Sequence, residues 1–263
     1  MTPERSIDPV GSIADDGDVS IATSASLPTI VFAAFVTLAV AGCGGLGVSL
    51  DDDTTRRIEH DSVPVDELQG LELTTDNGEV EIRGGGGDEI AVRTVLAERH
   101  EGDGEYSLDV NGDRLLVTGE CDGRRIDDCT VGFIVTVPSD FEVDIETHNG
   151  RVSVADLDGG VRVETDNGAI DAERIGAARV DTHTDNGRIR LTFDDSPISV
   201  AATTDNGAIA VRLPDFGVDY SVDADSDNGR VDIDVRTDPA ADHQVTARTD
   251  NGAIDVEYRT DGN

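Results

Sequence analysis

Thr165-Asp166-Asn167-Gly168, Thr184-Asp185-Asn186-Gly187, Thr204-Asp205-Asn206-Gly207 and Thr249-Asp250-Asn251-Gly252 are copies of one tetrapeptide. Ser226-Asp227-Asn228-Gly229 and Thr147-His148-Asn149-Gly150 are near copies, and an earlier Thr-Asp-Asn-Gly ends at Asn77-Gly78. From Asn149 onward the Asn-Gly pairs are spaced 18, 19, 20, 22 and 23 residues apart. Recurrence at about 20 residues marks a repeat architecture, in which each unit covers the apolar face of its neighbour.

The residues around the tetrapeptide alternate apolar and polar, as in Val161, Val163, Thr165 before it and Ile170, Ala172 after it. That is the period of a half-buried strand. Asn and Gly both tolerate positive φ, so the pair is expected to turn the chain sharply. Two architectures fit. Asn-Gly can close a two-residue hairpin, with Thr165 facing Ile170, or it can form one corner of a parallel β-solenoid coil. The solenoid is preferred, because a hairpin asks only for Asn-Gly whereas this chain also repeats the flanking Thr and Asp. Identical corners stacked about 4.8 Å apart would need identical residues. Asn149, Asn167, Asn186, Asn206, Asn228 and Asn251 would then form a hydrogen-bonded ladder. The residue after Gly alternates as Arg151, Ala169, Arg188, Ala208, Arg230, Ala253. An Arg on every second coil is expected to bridge two layers of corner Asp.

The chain has 263 residues and a formal charge of −36, from 20 basic and 56 acidic residues, every basic one being Arg. Nucleic acids and anionic lipid are poor partners for such a charge, since binding them requires cations that displace counterions. Acidic composition without Lys is that of a halophilic protein working in molar salt, where the Debye length is about 3 Å. Trp is absent, Gly is abundant and the apolar residues are mostly Val, Ile, Ala and Leu. This favours many short strands joined by tight turns.

The division expected is a signal or anchor segment over 1–50, an acidic linker over 51–68, irregular first coils and a cap over 69–148, and regular coils over 149–260. Leu27 to Leu50 carries no charge and includes Val40-Ala41-Gly42-Cys43. An apolar run followed by small residues has the shape of a signal peptide and its cleavage site. The Cys after Val-Ala-Gly resembles the lipobox of prokaryotic lipoproteins, with Cys43 the lipidated residue. An uncleaved membrane helix is the rival reading, since the run is long enough to span. Plain secretion is a third, and all three put the bulk of the chain at a membrane or outside it; the location expected is the extracellular face of the cell membrane, anchored. Cys121 and Cys129 close a short loop and are expected to form a disulfide in an oxidising compartment.

The repeated Thr-Asp-Asn-Gly-Xaa-Ile/Val, with Val135-Thr136-Val137-Pro138 entering the first regular coil, resembles the putative-adhesin family of β-strand-repeat proteins over about residues 69–258. The resemblance implies a β-solenoid at the cell envelope, anchored by a lipobox or membrane helix, with an envelope or cell-surface protein or glycan as partner. It supplies no catalytic residues.

Little else points to chemistry. Acidic pairs such as Asp194-Asp195 could serve glycoside hydrolysis, but in so acidic a chain some pair always qualifies. The five His residues lack metal-ligand spacing, and no Gly-Xaa-Ser-Xaa-Gly nucleophile motif occurs. One row is chemically suggestive. Asp166, Asp185, Asp205, Asp227 and Asp250 would line one corner, where carboxylates beside Asn carbonyls could hold Ca²⁺ or another hard cation. The plainer role is turn capping. No cofactor is expected. The sequence favours a non-catalytic, adhesin-like or structural binding module, with a glycan-active enzyme or a cation-binding envelope-stabilising module as alternatives.

Overall fold

The computed structural model describes residues 54–99, 103–121 and 129–259. The segment carrying Cys43 and the 1–50 anchor lies outside them. The described residues form strands and loops, with no helix among them. In chain order the strands are β1 (Thr55–Pro64), β2 (Gly70–Asn77), β3 (Val80–Gly84), β4 (Glu89–Glu98), β5 (Gly104–Asn111), β6 (Arg114–Cys121) and β7 (Cys129–Val137). They continue as β8 (Glu142–Asn149), β9 (Val152–Ala155), β10 (Val161–Asn167), β11 (Ile170–Ile175), β12 (Arg179–Asn186) and β13 (Ile189–Phe193). The last are β14 (Ser199–Asn206), β15 (Ile209–Leu213), β16 (Tyr220–Asn228), β17 (Val231–Asp234), β18 (His243–Asn251) and β19 (Ile254–Tyr258).

The two strands flanking each Thr-Asp-Asn-Gly belong to different sheets. β10 pairs in parallel with β8 and β12 in a nine-stranded sheet, while β11 pairs in parallel with β9 and β13 in a ten-stranded one. Thr165 therefore does not face Ile170 across a hairpin. Each repeat is one solenoid coil, a strand in each sheet joined at an Asn-Gly corner. Inward residues alternate along both strands, so Val161, Val163 and Thr165 meet Ile170, Ala172 and Ile175 in one continuous core. Phe133, Phe193 and Tyr220 lie fully within it, whereas Phe216 is 62% exposed on a loop.

The order of coils in the stack is not the order in the chain. Coil 114–137 lies outside coil 70–84, and coil 142–155 lies on the other side. At the far end coil 243–258 sits between coil 199–213 and coil 220–234, with Asn206 opposite Asn251 and Asn251 opposite Asn228. Coil 220–234 thus forms the open end, where Val231 and Ile233 are 40% and 41% exposed. At the opposite end β5 pairs antiparallel with β6, and β4 and then β1 extend the other sheet antiparallel from β7.

β1 falls where the sequence suggested an acidic linker. Of its inward residues only Val63 is apolar, while Arg57, Glu59 and Asp61 are charged, so no apolar alternation marks it. A ten-residue antiparallel ladder to β4 holds it. Tyr106 on β5 donates a hydrogen bond to Asp61 Oδ2 at 3.0 Å and ties the two sheets together at this end. Burial first, then this carboxylate, pushes the Tyr106 phenol well above its ordinary range.

Candidate functional site

The corner explains each residue of the tetrapeptide differently. Gly is required by close approach. A Cβ on Gly168 would lie 1.8 Å from the Gly150 carbonyl oxygen, and Cβ atoms on Gly187 and Gly207 would meet the Gly168 and Gly187 carbonyls at the same distance. Neither the corner Asn nor Gly150, Gly168, Gly187, Gly207, Gly229 or Gly252 has positive φ, so the expected left-handed turn is not how the corner is made. The chain bends around stacked backbones that leave no room for a side chain. Backbone hydrogen bonds continue around the bend, with Gly187 N donating to Asn206 O at 3.1 Å and Ile189 N to Ala208 O at 2.9 Å.

Asn side chains run along the outside of the stack. Asn167, Asn186, Asn206 and Asn251 each donate Nδ2 to the preceding Asn Oδ1, at 3.1, 3.0, 3.0 and 3.0 Å, starting from Asn149. Asn228 closes the row on Asn251 at 3.1 Å. Thr is the residue that sequence reasoning left without a role. Its side chain is buried, and Thr184, Thr204 and Thr249 donate Oγ1 to the Gly168, Gly187 and Gly207 carbonyls of the neighbouring coil at 3.0 Å. Ser226 makes the same bond to Gly252 at 2.8 Å.

Asp166, Asp205, Asp227 and Asp250 are exposed, and Asp185 faces His183 Nε2 at 3.2 Å. Among the described residues no three His, Cys, Asp or Glu converge as a metal site requires. The corner Asp are separate carboxylates, one per coil. Asp194 of the acidic pair is tied to Arg259. Cys121 and Cys129 form a disulfide with Cα atoms 5.8 Å apart. It links the end of β6 to the start of β7 in coil 114–137, where Gly119 lies opposite Thr75 and Cys121 N donates to Asp76 Oδ2 at 3.1 Å.

The arginines after Gly bridge coils, but not to the corner Asp. Arg151, Arg188 and Arg190 all face Asp171, at 3.9, 3.3 and 3.1 Å. Arg230 reaches Asp255 at 2.5 Å. These acids lie on the outer face of the ten-stranded sheet, the side to which a post-Gly side chain points. Because the last coils are exchanged, the row reads Arg, Ala, Arg, Ala, Ala, Arg along the stack. Beside Asp171 lies a groove of about 500 Å³ whose lining includes Arg83, Ser153, Ala155, Asp156 and Arg174. Asp156 and Arg174 form a two-pronged ion pair at 2.6 and 2.7 Å, both in left-handed backbone at φ 61° and 54°. Arg174's hydrogen bond holds the Asp156 carboxyl below its usual range.

A two-sheet parallel stack with an Asn-Gly corner and an Asn ladder defines a β-solenoid-like repeat module. The chain matches the family model described as Toastrack DUF4097 over residues 44–257 and belongs to that family. Its fold is similar to that of a putative cell adhesion protein from Clostridium sporogenes, at 11% identity over 78% of this chain and 100% of that one, with a TM-score of 0.49. A putative adhesin from Bacteroides fragilis matches at 11% identity, 77% and 97% coverage, and a TM-score of 0.41. A putative adhesin from Parabacteroides merdae matches at 10% identity, 78% and 97% coverage, and a TM-score of 0.26. No curated protein sequence matches the chain.

Proposed function

We propose that the protein is a non-catalytic, adhesin-like binding module on the extracellular face of the cell membrane, held there through its 1–50 segment, with Cys43 as the lipidated residue. The observation that carries the reading is the long stack of parallel coils, tied from coil to coil at the Asn-Gly corner. Its repeated corner is taken up by packing and inter-coil hydrogen bonds, and its outer sheet faces carry the polar side chains that a partner would meet. Membership of a family named only by its fold is compatible with this. The disulfide at Cys121–Cys129 supports an oxidising location. The charge of −36 supports a setting of high salt. The partner is an envelope or cell-surface protein or glycan. The test incubates the full chain, fluorescently labelled, with intact cells and isolated envelopes in molar salt. Saturable retention competed by unlabelled protein is expected. Absence of retention by a chain whose circular dichroism shows intact β-structure would sink the reading.

A further inference from the structure

The outer face of the ten-stranded sheet runs against the charge of the whole molecule at one place. Over the chain, acidic residues outnumber basic ones 56 to 20. In the groove along β9 five arginines, Arg83, Arg151, Arg174, Arg188 and Arg190, meet four carboxylates, Glu81, Asp156, Asp171 and Glu173. The excess is concentrated around Asp171. This carboxylate is only 15% exposed, and three guanidiniums converge on it from the two flanking coils, Arg151 from one and Arg188 and Arg190 from the other. With Arg83 on Glu81 and Arg174 on Asp156 and Glu173, the groove as a whole keeps one positive charge in excess, and it lies where three guanidiniums share the single Asp171 carboxylate.

The register shows how this arises. Ser153 lies between Glu81 and Asp171, and Asp171 lies opposite Arg190. One step along, Ala155 lies between Arg83 and Glu173. The small side chains of β9 form the floor, while the long side chains of β3, β11 and β13 form the walls. Arg151 and Arg188 flank Ala169 at the corner end, and the Asp156–Arg174 pair closes the other end in strained backbone. Non-Gly residues held in left-handed conformation are costly and persist where the surroundings dictate them. The four residues of β9 give the floor a length of about 13 Å.

We infer that this groove binds a small oxyanion, a carboxylate or a sulfate, carried on a sugar. Guanidinium is planar and matches both oxyanions with paired hydrogen bonds. None of the residues lining the groove is aromatic, so a neutral sugar finds no stacking platform. Ser153 offers a hydroxyl on the floor to a sugar hydroxyl. The surrounding acidic surface rejects a long polyanion by repulsion, whereas a single charged group enters between the arginine arms. The inference rests on the binding-module reading above and names the ligand class of its surface.

The test titrates the full chain with galacturonate, glucose 6-sulfate and glucose by calorimetry at the lowest salt concentration at which circular dichroism shows its β-structure intact. Saturable binding of at least one anion and none of glucose is expected. Galacturonate alone would identify a uronate as the source, and glucose 6-sulfate alone a sulfated sugar. Arg151→Ala/Arg188→Ala removes two arms while Arg190 stays on Asp171, and roughly tenfold or greater loss of affinity is expected. Arg212→Ala, whose side chain pairs with Glu257 on the same face and lies outside the groove lining, is expected to bind as the parent does. Failure to bind either anion, equal binding of glucose, or unchanged affinity in the folded double variant overturns the inference. Envelope retention of the double variant separates the two readings. If it is retained in full, the groove is not the envelope contact and the adhesin-like reading stands. If the parent binds the anion but no envelope, the groove stands and the adhesin-like reading falls.

Discussion

Asn111-Gly112 and Asn186-Gly187 are the same dipeptide in two different structures. At residue 112 the chain reverses between β5 and β6, Gly112 has φ 64°, and a Cβ there would meet nothing within 4 Å. At residue 187 the chain turns a coil corner without positive φ, and a Cβ would fall 1.8 Å from the Gly168 carbonyl oxygen. Gly112 is there for its backbone freedom and Gly187 for its lack of volume. A third corner, in coil 114–137, lacks Asn-Gly and is closed by the Cys121–Cys129 disulfide. Stacking requires that the corner be held close, and hydrogen bonds or a covalent bond can do it.

The contrast is broken most directly by alanine at both glycines. Gly187→Ala is expected to lower unfolding free energy by about 3 kcal/mol or more, because backbone rather than a flexible side chain stands in the way. Gly112→Ala should cost about 1 kcal/mol, the penalty of a left-handed residue in open space. Equal midpoints in a denaturant series would refute the distinction. The covalent corner comes next. Cys121→Ser/Cys129→Ser opens a loop whose ends are 8 residues apart, and a loss of about 2–3 kcal/mol is expected relative to the oxidised parent. The ladder is a smaller term. Asn206→Ala removes a rung on each side and should cost about 1 kcal/mol in the same assay. The subtlest comparison uses the buried hydroxyls. Thr184 donates to Gly168, whereas the equivalent Thr165 hydroxyl is buried without a partner. Thr184→Val should therefore cost about 1 kcal/mol and Thr165→Val close to nothing. Thermal melts of the two valine variants side by side would decide it.

The coil was legible in the sequence because stacking imposes the same contacts on every layer, so Thr165, Thr184 and Thr204 recur with their Asn and Gly. The alternation around those corners fitted a hairpin equally well, and it was the repeated Thr and Asp that argued for a coil. The order of coils was not legible for the same reason, since identical corners let any coil sit beside any other. β1 was missed because its inward face carries Arg57, Glu59 and Asp61, and backbone pairing leaves no trace in side-chain pattern. The arginine groove was half legible. The alternation of Arg151, Ala169 and Arg188 pointed to bridging between layers, but the bridged acid, Asp171, lies on the outer sheet face and not in the Thr-Asp-Asn-Gly row.

The exchanged position of the last two coils has a consequence for synthesis. A chain emerges from its N-terminus, so residues 220–234 are complete before residues 243–258 exist. At that moment the edge of coil 199–213 is bare, and the newly made coil carries Ser226-Asp227-Asn228-Gly229, a near match to the corner that belongs there. Its inward residues Val222, Ala224, Val231 and Ile233 closely match Val245, Ala247, Ile254 and Val256 in size and spacing. The native neighbour must therefore displace, or outwait, a competitor encoded in its own chain. Nascent chains stopped before residue 243 should dock the earlier coil in the wrong berth, and the final stretch of translation works as an editing step on the fold.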